Sequence, residues 1–289
     1  MSVVVPALIL LAALGADDAG QAKSPDDVHE DTLWFPVGEQ LTYRLHWGLL
    51  RVGEAQLSTG WVEEEGRRLL SITFTVKTNR LVEVVYPVEH QVENLVEPES
   101  FRPLRMSRRA REGKRITEGV LTFHWEEGVA RWEDRQRDKV VEYLVAPGTL
   151  DFTTFMFALL RDFPDQGDER RYAVAVDGRT YDLKATIARR GRVRLPGSGA
   201  TPGVNVNIAA VDGGLFVRTV PEELWITAAP VRRLAAMYMQ VPVGRVRMVL
   251  LNHEPAASVS ALDEDEDQSG TVSTEDPVPA NNSSSETER

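Results

Sequence analysis

The side chains with the clearest chemical potential form a basic run between positions 102 and 115. Seven arginines and lysines stand there against the single acid Glu112: Arg102, Arg105, Arg108, Arg109, Arg111, Lys114 and Arg115. In an extended strand, Arg105, Arg109 and Arg111 project from one face. A guanidinium group donates two hydrogen bonds at once to a phosphate or carboxylate, so this face could bind an anionic lipid headgroup or an acidic glycan. The alternative is a solvated sheet edge that discourages strand pairing and balances the acidic ends of the chain.

Other reactive residue types are too scattered to define a catalytic or metal site. No two of the five histidines lie within four positions of each other, which leaves out the spacing of a metal-binding pair: His29, His46, His90, His124 and His253. The sequence has no cysteine, which excludes disulfides, Cys-ligated zinc and cysteine nucleophiles. It has no Gly-x-Ser-x-Gly motif and no phosphate-binding loop. We expect no catalytic residue, metal or cofactor, although a Ser-His-Asp triad would leave no linear motif.

One segment has the apolar spacing of a helix. Its apolar residues fall on one helical face: Phe152, Phe155, Met156, Leu159, Leu160 and Phe163. Thr149 or Asp151 can cap its start and Pro164 ends it, so the sequence predicts a helix over about 151–162. This helix would either fill the core or act as a movable plug that shares its site with an apolar ligand. In the second case four side chains would bind the ligand: Phe152, Phe155, Met156 and Leu159.

The segments that must position these residues alternate between apolar and polar with a period of two. Leu41, Tyr43 and Leu45 begin a pattern that recurs as far as His253. One apolar and one polar face per strand is typical of an antiparallel sheet with one solvated side. Asp177-Gly178 lies between two such strands and is the strongest hairpin signal. The sequence therefore predicts a mainly β fold, an antiparallel meander curled into an open or spiral barrel, with the helix as its plug.

Three tryptophans extend this prediction of a buried apolar face. Trp47, Trp61 and Trp125 all fall on the apolar sides of alternating segments. We therefore expect them in the core rather than on the surface.

The two ends of the chain differ in composition from the middle. The apolar run from Val3 to Leu14 is shorter than the roughly 20 residues that span a bilayer and has the length of a signal-peptide core. We expect a signal peptide at residues 1–22 and an acidic linker at 23–32. Residues 33–254 would form a single β domain. Residues 255–289, rich in Ser, Glu, Asp and Pro, are expected to be a disordered acidic tail.

The charge is concentrated at those ends. Residues 1–31 carry a net charge of −5 and residues 255–289 one of −8, so within the formal net charge of −11 the middle of the chain carries only +2. A nucleic-acid-binding domain is usually clearly basic, so we expect no nucleic-acid partner.

An ordered set of short segments resembles a known family. The segments are Phe35-Pro36-Val37-Gly38-Glu39, Val52-Gly53-Glu54-Ala55, Leu224-Trp225-Ile226-Thr227 and Val243-Gly244-Arg245-Val246. Over about residues 33–252 the chain resembles the bacterial domain-of-unknown-function family 3108. The resemblance implies a secreted envelope protein with an open, curled β-barrel, similar in architecture to periplasmic lipoprotein carriers. It implies no established activity and no catalytic residue.

These observations favour a non-catalytic periplasmic or secreted protein that shelters a lipid or other amphiphile in its curled sheet. The alternative is a structural or interaction protein of envelope assembly, with a packed core and an envelope protein as its partner. A hydrolase of envelope material is a third hypothesis. We expect no transmembrane span, and the sequence leaves the oligomeric state open.

Overall fold

A computed structural model of the protein describes residues 33–162, 169–211, 223–228, 230–241 and 244–255. The strands are β1 (Gln40–Trp47), β2 (Leu50–Glu64), β3 (Arg67–Thr78), β4 (Val88–Glu97), β5 (Arg102–Glu112), β6 (Arg115–His124), β7 (Val129–Asp134), β8 (Lys139–Leu144), β9 (Leu150–Asp151), β10 (Glu169–Val176), β11 (Arg179–Leu195), β12 (Gly199–Ala210), β13 (Glu223–Thr227), β14 (Leu234–Val241) and β15 (Gly244–Glu254). The helices are α1 (Arg80–Glu83) and α2 (Phe152–Arg161).

All of these strands belong to one sheet, in which neighbours along the chain are mostly neighbours in space. The order from one edge to the other is β8-β7-β6-β5-β4-β3-β2-β1-β15-β14-β13-β12-β11-β10-β9. β1 pairs with β15, so the first and last described strands meet in the middle. β9 pairs in parallel with β10, and the other pairings among the described residues are antiparallel. The sheet is not closed into a barrel, because its two edges are β8 and β9. The predicted antiparallel meander in an open barrel is confirmed.

The alternation in sequence matches the burial along the strands. Leu41, Tyr43 and Leu45 of β1 are buried, and the residues between them are only partly buried. The Asp177-Gly178 turn joins β10 to β11, with φ of 47° and 91° at its two positions. Positive φ at both central residues is what a type I′ hairpin turn requires, and Gly meets it without steric cost.

The predicted helix forms as α2, and its first turn is stabilised by a capping box. The Asp151 side chain accepts a hydrogen bond from Thr154 N at 2.8 Å, and Thr154 Oγ1 accepts one from Asp151 N at 3.0 Å. Asp151 is therefore the N-cap, and Thr149 is not. The helix is buried over Thr154–Leu160 among side chains from strands of both halves of the sheet.

One sequence prediction is wrong, and one helix was not predicted. Trp47 is 46% exposed, because β1 ends at this residue and the chain turns back at Gly48. Trp61 and Trp125 are partly buried against the core, as expected. The short helix α1 was not predicted; Asn79 caps it by accepting a hydrogen bond from Val82 N at 3.0 Å.

Several predicted segments lie outside the described residues. They are the signal peptide (1–22), the acidic linker (23–32), the helix stop with Phe163 and Pro164, and the acidic tail apart from Pro255. The domain boundaries that depend on them stay predictions. In the part of the chain that is described, no helix is long and apolar enough to cross a bilayer.

Candidate functional site

The interior of the curled sheet holds the apolar residues that the sequence predicted as a ligand site. Phe155, Met156 and Leu159 are almost completely buried, and Phe152 is half-buried. The ring of Phe155 packs edge-on against Tyr172 of β10, with 5.2 Å between centroids. The structure thus brings all four residues together on one helix, where they contact the protein's own core.

The segment before β1 holds α2 in place from the other side. The Trp34 indole donates a hydrogen bond to the Phe157 carbonyl at 2.8 Å, and Phe35 packs edge-on against Phe157 at 4.5 Å between centroids. The Arg161 guanidinium lies over the Trp34 ring at 4.8 Å. Because these contacts come from residues more than a hundred positions earlier, α2 is fixed by tertiary packing and not only by its own turns.

A small pocket lies beside α2. Its volume is about 20 Å³, and it is lined in part by Phe35, Leu41, Leu57, Phe157 and Leu160. This volume has room for roughly one water molecule. An acyl chain could enter at this pocket only if α2 moved away from the sheet.

Two buried carboxylates near the interior have structural partners. Asp151 caps α2 and also accepts a hydrogen bond from Asn94 Nδ2 of β4 at 2.6 Å. Burial raises the pKa of Asp151, and the hydrogen bonds from Thr154 and Asn94 oppose that rise. Glu39 accepts a hydrogen bond from Arg233 Nε at 2.9 Å. Both carboxylates therefore stabilise the fold where they lie.

The three arginines predicted to bind an anion lie on the outer face of β5, which pairs with β4 and β6, so the alternative of a sheet edge is wrong. Arg105, Arg109 and Arg111 are exposed, whereas Met106 and Ala110 of the same strand are buried. The predicted grouping on one face is therefore present, but this face points away from the interior that holds α2. The structure does not bring the predicted basic and apolar residues into one site.

Arg105 is already engaged by a carboxylate on that outer face. Its two terminal nitrogens donate to the two oxygens of Glu64 at 2.7 and 2.9 Å. An anionic ligand at Arg105 would have to compete with this bidentate pair.

A polar groove of about 320 Å³ lies on the inner side of β5–β8, next to the Asp177-Gly178 turn. Arg108 projects into it, pairs with Asp177 at 2.9 Å and lies over the Trp132 ring at 5.1 Å. The side chains that line it carry both signs of charge: Arg108, Arg115, Thr117, Glu118, Trp132, Asp134, Arg137, Lys139, Val141 and Asp177. Its volume is at the lower end of the roughly 300–1,000 Å³ of small-molecule sites.

Sequence reasoning did not identify this groove, because it depends on a long-range approach of the β10–β11 turn to β5. The available signal was that Arg108 falls on the opposite face of the strand from Arg109. Gly119 is also required there, since a Cβ at this position would overlap the Trp132 indole.

The described residues contain no group of three His, Cys, Asp or Glu side chains arranged to hold a metal ion. Histidines instead approach single carboxylates, as in His90 and Glu112 at 3.1 Å.

An open antiparallel sheet wrapped around one buried helix defines a β-barrel-like protein. The chain belongs to the family described as protein of unknown function (DUF3108), whose model matches residues 42–251, well over half of its length. The family expected from the sequence is therefore confirmed.

A solved structure shows the same fold. It is the crystal structure of a beta-barrel-like protein of domain of unknown function DUF1849 from Brucella abortus, with a TM-score of 0.50 and 10% sequence identity. The match covers 76% of this chain and 98% of that chain. Among curated proteins, no sequence matches this one.

Proposed function

We propose that this protein is a non-catalytic protein of the bacterial cell envelope that acts through its surface, with a packed interior. The observation that carries the proposal is the position of α2, which is packed into the apolar core on the concave side of the sheet, beside a pocket of only about 20 Å³. Ligand sites for small molecules are usually more than ten times larger. A binding function then has to use the outer surface of the domain or the polar groove beside β5–β8.

The buried polar groups are consistent with a structural interior. Asp151 caps α2 and Glu39 forms an ion pair with Arg233. A general acid or base needs a carboxyl group that can reach a substrate, whereas these two carboxyl groups bond to the protein itself. The envelope location is supported by the apolar run of signal-peptide length and by the family resemblance.

An amphiphile carrier is the second candidate, favoured by the composition of α2. The segment from Thr154 to Leu160 is buried throughout, and apart from Thr154 its side chains are apolar. If α2 left the sheet, it would uncover an apolar trough in which each buried CH₂ group of a ligand would contribute about 0.8 kcal/mol.

Native mass spectrometry of the full chain, purified gently from an envelope extract, separates the two candidates. A packed interior predicts the mass of the polypeptide alone, unchanged after incubation with a fatty acid or a phospholipid. An additional mass that is lost on organic extraction would contradict the proposal. In that case Leu159→Ala, on the buried face of α2, should alter the retained mass, whereas the matched surface variant Leu144→Ala should not.

A further inference from the structure

One end of the sheet exposes a group of large apolar side chains. Leu49 is fully exposed, and Leu81, Val84 and Val85 are 84–87% exposed. With their less exposed neighbours they form what we call the apolar tip: Trp47, Leu49, Leu50, Leu81, Val84, Val85 and Tyr86. Single exposed apolar residues are ordinary, but a cluster of this kind marks an interaction surface.

Hydrogen bonds hold the two halves of the apolar tip together. Asn79 Nδ2 donates to the Arg51 carbonyl at 2.6 Å, and Asn79 N donates to the Val52 carbonyl at 2.9 Å. The same Asn79 side chain caps α1. The β1–β2 turn, which carries Leu49, and the α1 segment therefore form one protruding unit.

The β5–β6 turn completes this end of the sheet. Gly113 N donates to the Pro87 carbonyl at 2.7 Å, and the Tyr86 ring lies against Gly113, which has no side chain to obstruct it. Lys114 and Arg115 follow directly and are exposed. Part of the basic run found in the sequence thus lies next to the apolar tip.

The charge around the apolar tip is positive, whereas the middle of the chain as a whole is close to neutral. Five cations and two carboxylates lie in the segments 47–51, 79–87 and 111–115: Arg51, Arg80, Arg111, Lys114 and Arg115 against Glu83 and Glu112. Nearby, Glu54 pairs with Arg51, Glu112 pairs with His90, and Glu89 is exposed. This balance complements an anionic surface.

We infer that the apolar tip binds the surface of an anionic lipid bilayer and inserts its aliphatic side chains among the lipid headgroups. The inference rests on the proposed surface function and specifies its partner. Leu49, Leu81 and Val84 are the most exposed side chains of the apolar tip and would reach the acyl boundary, while the half-exposed rings of Trp47 and Tyr86 suit the interface. The neighbouring cations would pair with lipid phosphates.

The shape of the apolar tip favours a bilayer over a protein partner. Its most exposed side chains come from a turn and a short helix within one protruding unit, and each is too exposed to bury much of its neighbours. A fluid surface can surround all of them at once, whereas a protein would need a matching depression for each side chain.

The chain has no cysteine, so a single introduced cysteine carries a fluorescent label at a unique position. We would label Leu49→Cys, Val84→Cys and the control Leu144→Cys with an environment-sensitive dye in the full chain. Leu144 of β8 is 80% exposed and pairs with Val129 of β7, which in turn pairs with His124 at the end of β6. The length of β6 therefore separates Leu144 from Arg115 beside the apolar tip, a distance of about 30 Å. Vesicles of phosphatidylglycerol and phosphatidylethanolamine should shift the emission of the first two labels to the blue and leave the third unchanged. The shift should be weaker with phosphatidylcholine alone.

Flotation with the same anionic vesicles tests the chemistry. Leu49→Asp combined with Val84→Asp should lower the bound fraction at least about tenfold. Lys114→Glu and Arg115→Glu should each lower affinity about fivefold at low ionic strength. The matched controls are Leu144→Asp and Arg67→Glu, the latter at the β2–β3 turn at the other end of β2 from the apolar tip, and both should bind like the wild type. All variants should keep the wild-type unfolding temperature because the altered side chains are exposed.

Equal binding by wild type and tip variants, no binding at all, or a shift at all three labels would overturn the inference. Capture of a protein through the apolar tip without vesicle binding would also overturn it. None of these four results would affect the proposed surface function, which depends on the mass measurement described above.

Discussion

The Arg233 guanidinium donates to the Glu39 carboxylate across 194 residues of sequence, and Glu39 is only 7% exposed. Glu39 precedes β1 and Arg233 precedes β14, so the ion pair spans β15 in the middle of the sheet. His253 of β15 lies 3.6 Å from the same carboxylate. The pair therefore joins the N-terminal and C-terminal halves of the fold where they meet.

We predict that Arg233→Ala lowers the free energy of unfolding by about 3 kcal/mol, because it leaves a buried carboxylate without its main partner. The measurement is chemical denaturation followed by circular dichroism. Arg105→Ala is the matched control, since it breaks an exposed pair with Glu64 and should cost no more than about 1 kcal/mol. The double variant Glu39→Gln/Arg233→Met should lose less than Arg233→Ala alone. Equal losses for Arg233→Ala and Arg105→Ala would contradict this account.

Asp151 should be replaceable by Asn but not by Ala. Asn can still accept the Thr154 N–H and face Asn94, whose Oδ1 has no hydrogen-bond partner among the described residues. Asp151→Ala removes the helix cap and leaves Asn94 unsatisfied, so we expect a loss of about 2 kcal/mol. Thermal unfolding of the two variants at neutral pH checks this. Comparable losses of stability in Asp151→Asn and Asp151→Ala would show that the capping hydrogen bond matters less than the charge of Asp151.

The same residue predicts a pH dependence. Burial raises the pKa of Asp151 in the folded state above the value of about 3.9 in the unfolded chain. Between the two pKa values, the folded protein then binds more protons than the unfolded chain. The stability that Asp151 contributes is therefore complete below the pKa of the unfolded chain and is lost as the pH rises through the pKa of the folded protein. Asp151→Asn should remove this component from the stability curve. A wild-type minus variant difference that is flat with pH would argue against it.

Gly119 should tolerate no side chain. A Cβ there would overlap the Trp132 indole, so Gly119→Ala should cost about 1–3 kcal/mol through overpacking. Gly60→Ala is the control, because a Cβ at Gly60 meets nothing within 4 Å and Ala is the better residue in a strand. Denaturation of both variants gives the comparison. Equal stability of Gly119→Ala and Gly60→Ala would contradict the close packing of Trp132 against Gly119.

His46 should titrate below its ordinary range. Burial, followed by the charges of Arg247, Arg44 and Arg51, lowers its pKa in the folded protein from about 6.5. The unfolded chain protonates first, so this residue reduces stability as the pH falls through its unfolded pKa. Nuclear magnetic resonance should show the lowered midpoint, and Arg247→Gln should raise it, whereas Arg109→Gln on β5 should not. An unshifted midpoint would contradict the placement of the arginines around His46.

The features predictable from sequence are those set by local periodicity. The alternation in β1, the helical spacing of α2 and the Asp177-Gly178 turn each repeat or complete within one segment, so each could be identified without tertiary information. The short helix α1 has only four residues, too few to show a period. The Arg108–Asp177 and Glu39–Arg233 pairs depend on how distant strands meet, which no local pattern encodes.

The apolar tip is a different case. Its residues come from the β1–β2 turn and from the α1 segment, and neither run is unusual in sequence. Trp47 even continues the apolar alternation of β1, so sequence reasoning placed it in the core. The two segments form one surface because Asn79 donates a hydrogen bond to the Arg51 carbonyl, a contact that the sequence does not indicate.

Hydrogen exchange of the α2 backbone amides tests most directly whether the interior is closed. The packed interior predicts that the amides from Phe155 to Leu160 exchange among the slowest in the domain, at rates that follow global unfolding, while the exposed helix α1 exchanges quickly. Fast exchange across α2 while the strands around it stay protected would show that the helix leaves the sheet. That result would contradict a protein that works only through its surface and would favour the amphiphile carrier.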